Sequence, residues 1–199
     1  MLSRKFTTAV VFALVLVAVP RLNAQDNKKS ETSNQAGSSP AAPAPPAAKP
    51  ADVASPDAIL AAAYGVISGP KGQKRDWERF RSLCLPGARF IPTGAKKDGT
   101  GSFARVLSPE EYVDRANPIF EKDGFYETEA ARRTERYGNI AQIFSTYESR
   151  HDPKEAPFAR GINSFQLFFD GTRWWVVSVF WQGETPENPI PKEFLPGAM

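Results

Sequence analysis

Glu127 and Glu129 are the residues of this chain whose types and spacing come nearest to chemistry. They stand two apart in FYETEAARRTER (residues 125–136), and alternate positions of a strand share a face. Paired carboxylates do acid/base work when burial shifts their proton affinity. Followed by Arg132 and Arg133, the same residues also suit cross-strand ion pairs on a wet face. His151-Asp152 joins the usual general base to an acid. Neighbours on a strand point to opposite faces, so only a loop would let these two meet. Asn163, Ser164, Gln166 and Ser178 are polar positions inside apolar runs, and buried amides need partners. Trp77, Tyr64, Tyr112 and Trp181 each carry a large apolar body with one polar atom, a combination that lines small-molecule cavities and fills ordinary cores. From these we take Trp77, Tyr112 and Asn163 as the expected lining of a ligand site, and assign no catalytic residue. One His and one Cys cannot build a usual zinc or copper site, and neither an acidic metal loop nor a glycine-rich phosphate loop occurs. The expectation is therefore no metal and no cofactor.

The elements that must hold these residues can be read from the pattern. Ser55-Pro56-Asp57 opens a helix, with Ile59, Leu60, Ala63, Tyr64 and Ile67 at helical spacing up to Gly69-Pro70. Asp76 caps a second, short helix, in which Trp77, Phe80, Arg81 and Cys84 share a face before Pro86-Gly87. Ala88 to Thr93 reads as a strand and Ser102 to Leu107 as its return, across the loop GAKKDGTG. Ser108-Pro109-Glu110-Glu111 is a capping box, and the helix it starts carries Tyr112, Val113, Ala116, Ile119 and Phe120 on one face. Residues 125–136 read as a strand paired with 140–150 across Tyr137-Gly138-Asn139. In the second of these, Ala141, Ile143, Ser145, Tyr147 and Ser149 form one face.

The strongest local signal is GINSFQLFFDGTRWWVVSVFWQ, residues 161–182, a hairpin about Asp170-Gly171. Its strands are apolar on both sides, whereas a hairpin with one wet face alternates. Helices can cover one side, and a second copy of the chain is the simplest cover for the other. A two-residue loop would pair Asn163 with Ser178, a three-residue loop would shift the register by one, and a shift of one reverses every face. Helices first and strands later indicate an α+β fold, a cone-shaped curved antiparallel sheet with the N-terminal helices packed on its concave face.

The ends carry address rather than chemistry. Arg4 and Lys5, then the apolar Thr7 to Val19, then Leu22-Asn23-Ala24 read as a secretory signal over residues 1–24, cut after Ala24. The apolar run is shorter than the roughly 20 residues of a spanning helix, so no stable membrane span is expected after cleavage. The chain has 25 basic and 22 acidic residues, and Arg4, Lys5 and Arg21 lie in the signal, which leaves 22 against 22. With no basic stripe, nucleic-acid binding is not expected. Residues 25–55 are Ala/Pro-rich and read as a disordered linker. Residues 56–183 form the expected domain, and 184–199 an irregular tail. Cys84, the single cysteine, has no intrachain partner and reads as a small buried hydrophobe.

Three segments together resemble a known superfamily: DWERF (76–80), RYGNIAQIFSTYESR (136–150) and DGTRWWVVSVFW (170–181). With the helix pair before them, they are similar to the nuclear transport factor 2-like (SnoaL-like) cone fold in bacterial secreted members, over about Pro56 to Gln182. The resemblance implies a homodimer through the sheet face. It covers isomerases, dehydratases, polyketide cyclases, dioxygenase small subunits and non-catalytic assembly domains. Catalytic members often carry His near the end of the closing strand, where this chain has Ser178, Val179, Phe180 and Trp181. No catalytic residue is carried over. The leading expectation is an exported, periplasmic or extracellular, dimeric cone-fold protein that binds a small apolar ligand. The alternatives are an isomerase/lyase-type enzyme acting on a cyclic apolar substrate, through a buried carboxylate with a Tyr or Trp donor, and a non-catalytic protein-interaction domain. A cavity that holds an ionisable group would favour the enzyme.

Overall fold

The computed structural model describes residues 44–197. The expected signal, residues 1–24, and residues 25–43 of the expected linker lie outside the described residues. Ser55 opens the first long helix because its hydroxyl accepts the Ala58 N–H at 3.0 Å. This helix, α2 (Pro56–Ile67), buries Ile59, Leu60, Tyr64 and Ile67. The short α3 (Trp77–Leu83) is capped by the Asp76 side chain. Ser108 and Glu111 complete the capping box of α4 (Pro109–Asp123). The expected starts of all three helices hold.

Ahead of them lies α1 (Pro50–Val53). Here the expected linker boundary is corrected. Val53 is buried in the core. Asp52 makes a two-pronged ion pair with Arg79 of α3, at 2.7 and 2.8 Å. A buried hydrophobe and a bidentate carboxylate are features of a docked segment, and the Ala/Pro composition around them hid both.

The strands are β1 (Cys84–Ala95), β2 (Ser102–Ala104), β3 (Tyr126–Tyr137), β4 (Ile140–Arg150), β5 (Ala159–Phe169) and β6 (Trp174–Gly183). They form one sheet in the order β2-β1-β6-β5-β4-β3. The fold is α+β as expected, but the sheet is mixed rather than antiparallel, because β1 runs parallel to β6. Parallel neighbours need a long crossover, and here it comprises everything from β2 to β5. Cys84, expected on the second helix, already belongs to β1.

The hairpin register matches neither expected loop. Phe169 pairs with Trp174 across a four-residue turn, and Asn163 pairs with Trp181. Asp170 holds the turn: its carboxylate accepts the N–H groups of Thr172 and Arg173 and the Trp175 indole N–H. A bulge at Val177 keeps Gln166 opposite Ser178 and Leu167 opposite Val176. A second bulge, at Ala130, interrupts the β3–β4 pairing.

One sheet face packs on the helices. It carries Ile143, Phe165, Leu167, Trp174, Val176 and Val179, all buried. The other face is partly covered by the segment after β6. A 3-10 turn, Lys192–Phe194, lies on β3 and β4. Thr146 donates its hydroxyl to the Phe194 carbonyl at 2.6 Å, and the Phe194 ring sits 5.6 Å from Phe144. The irregular tail is therefore docked from its own side, which explains how the outward-pointing Thr146 comes to be buried.

Candidate functional site

Between the sheet and helices α2 to α4 lies a cavity of about 380 Å³. Its walls are mostly apolar and rich in aromatic rings, among them Phe80, Phe90, Tyr112, Phe120, Phe165 and Trp181. They are packed among themselves, with Phe80, Phe90 and Tyr112 within 5.0 to 5.4 Å of one another. Such a surface holds an apolar body by desolvation, while a few polar groups fix its orientation.

Those polar groups come from the sheet. Glu127 on β3, Ser149 and Tyr147 on β4 and Asn163 on β5 all line the cavity. They meet because Glu127 is opposite Ser149, while β4 places Ser145 beside Asn163. The Glu127 carboxylate accepts from Asn163 Nδ2 at 3.1 Å on one oxygen and from Ser149 Oγ at 2.9 Å on the other. Among the described residues no cation bonds it. Burial pushes its carboxyl up to about 7, although the Asn163 and Ser149 bonds pull the other way.

Asn163 Nδ2 gives its other hydrogen to the Tyr64 hydroxyl at 3.2 Å. Tyr64 lies 2.6 Å from Ser145 Oγ, and Ser145 donates to Glu129. Glu129 is held at 2.7 Å by Arg132, which also pairs with Asp57. The two glutamates thus divide the two readings of the sequence between them. Glu129 is the ion-pair partner, and Glu127 is the cavity carboxyl. A polar chain links them through Ser145, Tyr64 and Asn163.

Tyr147 reaches the cavity because Gly161 leaves room for it. A Cβ at position 161 would collide with the Tyr147 hydroxyl and with the Gln182 carbonyl. The Tyr112 and Tyr147 hydroxyls have no hydrogen-bond partner among the described residues, and burial pushes both above the usual tyrosine range. At neutral pH they are hydrogen-bond donors, not bases.

Of the three expected lining residues, Tyr112 and Asn163 line the cavity. Trp77 does not. Its indole N–H donates to Asn117 Oδ1 at 2.7 Å and its ring stands 5.6 Å from Phe80, behind the wall. Trp77 opens α3 directly after its Asp76 cap, and its contacts there are with α4 and Phe80. His151 and Asp152 are exposed in the β4–β5 loop, and the His151 ring stacks on Phe158 at 4.2 Å. Cys84 lines the cavity as a buried thiol that donates to the Phe80 carbonyl, and burial pushes its pKa up to about 12. It is not poised for disulfide formation. Sequence reasoning missed Ser149 and Tyr147 as site residues, although the alternation of residues 140–150 places both inward. Among the described residues no group of three His, Cys, Asp or Glu side chains is placed to hold a metal.

No protein-family model and no curated protein matches the sequence. Solved structures do. The protein is similar to a proposed calcium/calmodulin-dependent protein kinase type II association domain from Thiobacillus denitrificans, with 13% identity, 72% of this chain and 100% of the other covered, and a TM-score of 0.51. It is similar to a nuclear transport factor 2-like protein of unknown function from Shewanella baltica, with 16% identity, 64% and 89% covered, and a TM-score of 0.46. A proposed ketosteroid isomerase from Parabacteroides distasonis aligns at 11% identity over 66% of this chain and 89% of the other, with a TM-score of 0.43. At these identities the likeness is one of fold alone, the α+β arrangement described above, which the association domain shares at a TM-score of 0.51. One such fold hosts many activities, so function has to be argued from the cavity.

Proposed function

We propose that the protein takes a small, mainly apolar molecule into the cone and exchanges a proton with it through Glu127. The observation that carries this reading is a carboxyl group at an aromatic-walled cavity, bonded on both oxygens and unneutralised by any cation among the described residues. A general base works best when its pKa lies near the working pH, and the position of Glu127 near 7 meets that condition. Tyr147 and Tyr112 supply donors that would stabilise negative charge developing on a ligand oxygen. The reaction class is a proton shift next to a carbonyl, of isomerase or lyase type.

The test uses a cyclic β,γ-unsaturated ketone, with conjugation followed by absorbance and α-carbon exchange followed in D2O. The expected result is turnover that rises through an apparent pKa near 7 and is lost in Glu127→Gln. Binding of the ketone without exchange in the native protein would reduce the reading to ligand binding. Equal exchange by Glu127→Gln would remove Glu127 from the chemistry.

A further inference from the structure

Twelve arginines lie in residues 44–197, and ten of them are engaged. Arg79, Arg81, Arg132, Arg150 and Arg160 are in ion pairs. Arg75 is spent on backbone carbonyls, among them Ile67 and Gly69. Arg89 bonds the Gly87 and Ala88 carbonyls. Arg173 donates to the Ser82 carbonyl and lies over Trp175. Arg133 and Arg136 lie over Phe194 and Trp174. The remaining two, Arg105 and Arg115, have no side-chain hydrogen bond, ion pair or aromatic partner among the described residues. Both line the cavity, and both are exposed.

Their places in the fold make them its mouth. Arg105 follows β2, with its N–H bonded to the Pro92 carbonyl of β1 at 3.1 Å, and Pro92 is itself a lining residue. Arg115 lies on α4, one turn before Ile119, an exposed lining residue. Arg115 acts on the Glu111 carboxylate, which is committed to the Ser108 N–H at 2.7 Å. Two free guanidinium groups stand at the opening of an aromatic cavity that has a carboxyl on its inner wall.

We propose that the cavity takes an amphipathic anion, with its apolar body inside the cone and its acidic head group held at the mouth by Arg105 and Arg115. This deepens the small-molecule reading above and rests on it. Guanidinium groups bind carboxylate, sulfonate or phosphate head groups through paired, charge-assisted hydrogen bonds. The opposite orientation would drive the anion against Glu127, so the head group stays outside. The inner end of the ligand then faces Glu127, Asn163 and Tyr147, where a hydroxyl or carbonyl finds both donors and acceptors.

The experiment compares two fluorescent probes with the same rings, N-phenyl-1-naphthylamine and 8-anilino-1-naphthalenesulfonate, which differ by the sulfonate. In the mature protein both should brighten, and the sulfonate should bind at least about ten-fold tighter at low salt. Added sodium chloride should erode that margin. In R105A/R115A the margin should vanish while the neutral probe binds as before. Equal affinities in the native protein, or a margin untouched by the double substitution, would overturn the head-group contact and leave the cavity reading standing. If neither probe binds, or if Ala63→Phe on the cavity wall leaves both unaffected, the cavity reading itself falls.

Discussion

Glu127 ties the stability of this fold to pH. Its carboxyl has an ordinary value of 4.5 and is raised to about 7 in the folded chain. Between those values the folded state binds the extra proton, so unfolding becomes easier as the pH rises. The contribution is fully present below about 4.5 and is lost by about 7, with a slope of up to about 1.4 kcal/mol per pH unit. Asp52 and Glu110 act in the opposite sense, because Arg79 and Arg81 hold their carboxyls below the ordinary value, and they titrate below this window. Urea unfolding across the window should therefore show falling stability in the native protein and a flatter profile in Glu127→Gln. Parallel profiles would mean that Glu127 is ionised throughout. A buried carboxyl was one of the two readings legible in the spacing of Glu127 and Glu129. Which glutamate would supply it was not. The choice depends on Arg132 reaching Glu129 and Asp57, and on Asn163 arriving from 36 positions later in the chain.

At the scale of elements, two joints carry the site. The first is the crossing of Tyr147 over Gly161. Gly161→Ala would push the ring out of its place, at a cost of about 1 to 3 kcal/mol, and should weaken probe binding more than an alanine change on the outer face of β5, such as Ser164→Ala. Denaturation and probe titration check the two parts separately. The second joint is α1 on α3. Deleting residues 25–43 removes mainly polar sequence with little to bury. Extending the deletion through residue 54, which spares the Ser55 cap of α2, also removes Val53 and the Asp52–Arg79 pair. The longer deletion should cost about 2 to 5 kcal/mol, as a core truncation does, and equal midpoints for the two would show that α1 contributes nothing. Helix starts were legible because Ser55, Asp76 and Ser108 announce themselves by side-chain type. The bulge at Val177 was not, since an extra residue leaves no mark on alternation that is apolar on both faces, and the one at Ala130 falls in a charged strand with no apolar alternation to break. The Asp170 turn needed four residues because its carboxylate gathers two backbone N–H groups and an indole.

At the scale of the molecule, the outer sheet face is only half dressed. Phe194 covers β3 and β4, while Phe180 on β6 is 47% exposed and Ile140 at the start of β4 is 60% exposed. The proposed homodimer would close this face by an isologous contact. Sedimentation at micromolar concentration should report twice the monomer mass, and Phe180→Glu should halve it, because an unpaired charge is costly to bury. A monomer with the hairpin intact would leave the tail as the sole cover. The proposed export is checked by intact mass, which should match cleavage after Ala24.

The parallel seating of β1 beside β6 has a consequence for when this chain can fold. β1 has only β2 and β6 as neighbours, so one flank of β1 stays open until the last strand is in hand. The helices that enclose the cavity precede β3 to β6, yet they pack on those strands and have no core of their own. A nascent chain lacking residues 174–183 would lack Val176, Val179 and Trp181 of the cavity wall and hold an unzipped sheet. Closure of the sheet therefore waits for β6. The proposed export would suit this order, since a chain that threads a channel unfolded gains from a sheet that closes last.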